Sequence, residues 1–82
     1  MMKQVGSVVA RSGVSKVTVN LESPMPSEKY HISSSIVEPE RDERPEELTM
    51  EVLPGKTETE FTLKFNMKLP VKMRIAYIVE ST

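Results

Sequence analysis

The sequence predicts an all-β chain, a small six-stranded antiparallel β-sandwich. Apolar residues recur with a period of two along several short stretches, and turn-forming residues separate those stretches at intervals of about 10 to 15 residues. No segment shows the 3.6-residue repeat of a helix. Residues 60–80 carry the pattern most clearly. Phe61, Leu63, Phe65 and Met67 alternate with Glu60, Thr62, Lys64 and Asn66, and Val71, Met73, Ile75, Tyr77 and Val79 continue it around Lys72 and Arg74.

Paired as a hairpin around Lys68, Leu69 and Pro70, these two strands would set Phe65 against Met73, Leu63 against Ile75 and Phe61 against Tyr77. The same register sets Lys64 opposite Arg74, an unfavourable like-charge pair. Either an anionic group sits there, or the two strands belong to different sheets.

The other four elements follow from the N-terminus. Residues 1–10 read as a first strand whose apolar pattern slips phase between Val5 and Val8, as a bulge or fraying would produce. Arg11, Ser12 and Gly13 form a turn, and Lys16 to Leu21 is a second strand with Val17, Val19 and Leu21 on one face. Pro24 and Pro26 lack the amide donor of a ladder, so the chain leaves the sheet there. Lys29 to Val37 is a third strand, with Tyr30, Ile32, Ser34 and Ile36 in one set and His31, Ser33, Ser35 and Val37 in the other. Glu38 to Glu47 holds no apolar residue except its prolines and reads as a solvated loop. Leu48 to Leu53 is a fourth strand with Leu48, Met50 and Val52 inward, and Pro54, Gly55 and Lys56 turn the chain after it.

Length and composition exclude several classes. A single domain of 82 residues hides only about 60% of its unfolded surface on folding, so self-association is the expected supplement to its stability. The absence of cysteine removes disulfides, thiolate metal sites and cysteine nucleophiles together. A net charge of -1 creates no field to gather nucleic acid or an anionic membrane. No apolar run is long enough for a membrane span or a signal peptide.

Possible chemical groupings are sparse. The carboxylates of residues 38–47 lack the glycine-held spacing of a calcium loop, so we expect no metal and no other cofactor. His31 shares a strand face with Ser33 and Ser35. Residues two apart on a strand stand about 6.5 to 7 Å apart at their α-carbons, and neither an orienting group nor an oxyanion hole is identifiable, so no catalytic residue is assigned. Lys64, Lys68, Lys72 and Arg74 are the candidate ligand or partner surface, a basic stripe over the last two strands and their loop. Nucleic-acid readers on a sheet add exposed aromatics, whereas Phe61, Phe65 and Tyr77 fall in the apolar set here. Val37, Ala76 and Ile78 lie on otherwise polar faces, as expected of an assembly interface.

Four segments carry a family resemblance: residues 17–26 (Val-Thr-Val-Asn-Leu-Glu-Ser-Pro-Met-Pro), 30–35 (Tyr-His-Ile-Ser-Ser-Ser), 56–63 (Lys-Thr-Glu-Thr-Glu-Phe-Thr-Leu) and 73–80 (Met-Arg-Ile-Ala-Tyr-Ile-Val-Glu). The pattern resembles the H-type lectin domain and related small β-sandwich modules of bacteriophage tail and fibre proteins. It covers roughly Val17 to Glu80. The resemblance implies a six-stranded sandwich, commonly a homotrimer, and for the true lectins binding of N-acetylgalactosamine-type sugars between subunits. Those lectins use an arginine before the Thr-x-x-x-Phe turn and a Trp-His pair before the last strand. The corresponding places here hold Val52 or its neighbours and Lys68-Leu69-Pro70, and the chain has no tryptophan. The resemblance thus extends to the scaffold rather than to that sugar site.

These observations lead to a non-enzymatic structural or adhesion module, a homo-oligomer with the trimer favoured, serving as a virion component such as a tail, fibre or baseplate part or its receptor-binding domain. Its expected partners are copies of itself, other virion proteins or a cell-surface glycan, with no nucleic acid and no membrane. Two alternatives remain open: a carbohydrate-binding lectin domain, and a small inhibitor or tethering protein acting through its acidic loop.

Overall fold

Every period-two stretch becomes a strand, because alternation gives each one an apolar face that only a second layer can cover. The computed structural model describes residues 2–39 and 41–81. Its strands are β1 (Lys3–Ala10), β2 (Lys16–Asn20), β3 (Tyr30–Glu38), β4 (Met50–Val52), β5 (Glu60–Phe65) and β6 (Met73–Ser81), with one 3-10 turn at Arg41–Glu43. They form two three-stranded antiparallel sheets in the orders β1-β6-β3 and β2-β5-β4. The chain is thus an all-β sandwich, and the β4–β5 connection alone stays within a sheet.

The last two strands do not form the hairpin that their matched apolar residues suggest. β5 is the centre of one sheet and β6 the centre of the other, so Phe61, Leu63 and Phe65 meet Met73, Ile75 and Tyr77 across the core rather than along a ladder. The like-charge conflict is removed with the pairing. Arg74 has Val9 and Glu38 as its cross-strand neighbours, while Lys64 lies between Lys16 and Glu51.

Three strands also differ from expectation. β1 pairs with β6 without a break from Lys3 to Ala10 and carries no bulge: Val5 and Val9 face outward while Gln4, Gly6, Val8 and Ala10 face the core side. The irregularity falls instead in β3, between Ile36 and Glu38. The fourth strand is shorter than Leu48 to Leu53, because the Leu48 amide donates to Pro45 O and the Thr49 amide to Asn66 Oδ1 before the ladder begins. Val52 points to the core side but remains 37% exposed at the sheet edge. Met1 and Glu40, included in the expected first strand and acidic loop, lie outside the described residues.

The core is built from Val19, Phe61, Leu63, Phe65, Met73, Ile75, Tyr77 and Val79 on the strands. Each such large side chain contributes about 1.5 to 3 kcal/mol by leaving water. Two loop residues close its ends. Leu69 is 2% exposed, and its amide and carbonyl pair with Val14 O and the Gly13 amide at 2.9 and 2.7 Å. Gly13 adopts a φ of 86°, a left-handed conformation that suits glycine. At the other end Met25 is 1% exposed, its amide donating to Glu58 O and its sulfur accepting from the Gln4 side chain.

Candidate functional site

The strand assignment separates the expected basic stripe. Lys64 projects from the outer face of β5 and Arg74 from the outer face of β6, so the two point away from each other on opposite sides of the sandwich. Lys68 and Lys72 are exposed on the connection that crosses between the sheets. All four lie toward the end where β5 leaves one sheet and β6 enters the other, but Lys64 and Arg74 occupy opposite outer faces there.

Catalytic geometry is equally dispersed. His31, Ser33 and Ser35 form one outward, exposed column on β3, opposite Glu80, Ile78 and Ala76 of β6. Among the described residues no three His, Cys, Asp or Glu side chains converge as a metal site, and no buried side-chain polar atom lacks a partner. Buried polar groups are instead used to fasten the chain. Ser81 accepts the Met2 amide through Oγ at 2.7 Å, and Tyr30 donates its hydroxyl to Thr57 O at 2.7 Å, with Glu60 O at 3.2 Å. Burial, and secondarily the Glu60 carboxylate, raises the Tyr30 pKa, so its hydroxyl stays protonated at neutral pH.

The acidic loop lies over the flank between β3 and β4. Ile36, Asp42, Arg44, Pro45, Glu46 and Leu48 line an open groove of about 780 Å³ there, and Arg44 donates to Ile36 O at 3.3 Å. Asp42 and Glu46 stand exposed to water at its edge.

What the structure does assemble is the outer face of the β1-β6-β3 sheet. The ladder registers place Val5, Ile78 and Ser33 in one row across it, and Ser7, Ala76 and Ser35 in the next. Lys3, Glu80 and His31 border this patch at one end; Val9, Arg74 and Glu38 border it at the other. Val5 is 71% exposed, and Val9 and Val37 about half exposed. The centre is therefore a mixture of apolar and small hydroxyl side chains and the rim is largely charged, a composition compatible with a contact surface. Val37, Ala76 and Ile78 were legible in the sequence as misplaced apolar residues. Val5 and Val9 were obscured because Gly6 occupies the inward position between Val5 and Val8.

No protein-family model, no curated protein and no solved structure matches the chain.

Proposed function

We propose that this chain is a non-enzymatic structural or adhesion module that works as a homo-oligomer, and that it serves as a part of a phage or prophage virion. The exposed Val5, Val9 and Val37 beside the partly exposed Ala76 and Ile78 on the β1-β6-β3 face are the observation that carries the assembly half of this reading. A sandwich of 9.3 kDa with 5576 Å² of accessible surface exceeds the roughly 5,000 Å² usual for a monomer of that mass. Its radius of gyration of 12.8 Å likewise exceeds the roughly 11.7 Å of a compact 82-residue domain. Such surplus surface is what association covers. The virion half is supported by the resemblance of residues 17–80 to small phage tail and fibre sandwiches.

The carbohydrate-binding alternative, placed around Lys68, Lys72 and Arg74, has less support, since Lys64 of the same basic stripe lies on the opposite outer face from Arg74. Light scattering between about 10 µM and 1 mM tests the assembly, because oligomer formation must grow with concentration by mass action. A monomer throughout that range would end the reading. A glycan array on the same sample tests the alternative, with no binding expected.

A further inference from the structure

We propose that the outer face of the β1-β6-β3 sheet docks on the same face of a second copy, about a two-fold axis that lies between the sheets and runs perpendicular to the strands. This deepens the assembly reading, on which it rests, by assigning the surface and the symmetry.

The charge pattern selects the axis. A two-fold perpendicular to the strands keeps β1 over β1, β6 over β6 and β3 over β3 while reversing their direction. Along β6 it sets Glu80 of each copy over Arg74 of the other, twice, and along β3 it sets His31 over Glu38. At the centre Ile78 lies over Ala76, a large side chain against a small one, so the faces interdigitate without a collision of two bulky residues. A two-fold parallel to the strands does the reverse. It brings Glu80 onto Glu80 and Arg74 onto Arg74, with both pairs repelling. Closed two-fold pairing of one patch with itself is also the commonest form of self-assembly.

The size of the face sets the strength. Three strands about 4.8 Å apart and eight residues at about 3.4 Å cover a footprint of about 390 Å² per copy. That is roughly half the 800 Å² per partner of a standard interface, so the pairing is reversible rather than obligate. Arg74 is already 3.9 Å from Glu38 in its own chain, both side chains being more than half exposed, and its guanidinium keeps free donors for a second carboxylate.

Sedimentation equilibrium of the full chain tests this between about 10 µM and 1 mM, at low salt and at about 0.5 M salt. The expected result is a monomer–dimer equilibrium that weakens as salt is added, because the pairs across the axis attract. Arg74→Glu weakens it by about tenfold, as does Glu80→Arg, whereas Lys16→Glu on the opposite sheet leaves it unchanged. Mixing the Arg74→Glu chain with the Glu80→Arg chain restores association, since every facing pair is then opposite in charge. Circular dichroism confirms that each variant keeps its strands. A trimer, an oligomer indifferent to both substitutions, or one strengthened by salt would overturn this face and axis while leaving the assembly reading intact. A monomer throughout would overturn both.

Discussion

The ring of Tyr77 lies directly against the backbone of Gly6, its cross-strand partner: a β-carbon at position 6 would stand 2.6 Å from the tyrosine Oη and 2.8 Å from Cζ. Phe61 meets the same ring edge-on, with centroids 5.6 Å apart and planes at 80°. The aromatic side chain is thus held between an empty glycine position on its own sheet and a buried ring of the opposite one. Glycine is the residue that a strand otherwise disfavours, and here its missing side chain is the space the tyrosine occupies.

Gly6→Ala is therefore expected to destabilise the fold by about 1 to 3 kcal/mol, the usual cost of forcing extra volume into a packed site. Tyr77→Phe introduced beside it removes the 2.6 Å clash but leaves the 2.8 Å approach to Cζ. Denaturant unfolding should show the alanine costing less in the phenylalanine background, though still costing something. An equal cost in both backgrounds would mean that the tyrosine is not the obstacle.

Tyr30 ties the start of β3 to the β4–β5 connection through its hydroxyl, and Tyr30→Phe is expected to cost about 1 to 2 kcal/mol at neutral pH. The pH dependence has a definite sign. Burial, then Glu60, raises the folded-state pKa above the ordinary tyrosine value of 10.0. Below that value the phenol is protonated in both states and its contribution is complete. As pH rises past 10.0 the unfolded chain releases the proton first, so the contribution declines until the folded pKa is passed. The stability gap between wild type and Tyr30→Phe should narrow as pH is raised through that window. A gap unchanged by pH would contradict the raised pKa.

The all-β class and the inward sets of β2, β3, β5 and β6 were legible in the sequence, because burial on one face leaves a period of two that loops do not imitate, whereas the glycine at position 6 hid that of β1. Partner choice was not. Phe61, Leu63 and Phe65 match Met73, Ile75 and Tyr77 equally well as ladder neighbours or as facing layers, since both arrangements bury the same side chains. The Lys64–Arg74 conflict was the one local sign favouring separate sheets, and it pointed the right way. Leu69 and Met25 were hidden for another reason: each is a single apolar residue beside prolines, and nothing in a two-residue alternation marks a loop residue that folds back to close the core.

Leu69→Ala accordingly tests a part of the fold that no periodicity reveals. Removing a fully buried leucine at the end of the core should cost about 2 to 5 kcal/mol, whereas Lys68→Ala and Lys72→Ala beside it should each fall within about 0.5 kcal/mol. Thermal or denaturant unfolding of the three variants separates them. A small loss for Leu69→Ala would mean that this end of the sandwich collapses readily or stays open.

Lys64 sits in a row across β2, β5 and β4, between Lys16 on one side and Glu51 on the other. One cross-strand pair repels and the other attracts, and the row lies on the exposed outer face where each is worth about 0.2 to 1 kcal/mol. Reversing the central charge merely exchanges the two, so Lys64→Glu should change stability little. Lys16→Glu instead makes both pairs attractive. It should stabilise the fold by a few tenths of a kcal/mol to about 1 kcal/mol, and the gain should shrink as salt screens the exposed charges. Denaturant unfolding at low and high salt reads both effects. Destabilisation by Lys16→Glu at low salt would show that this row is not paired in the observed register.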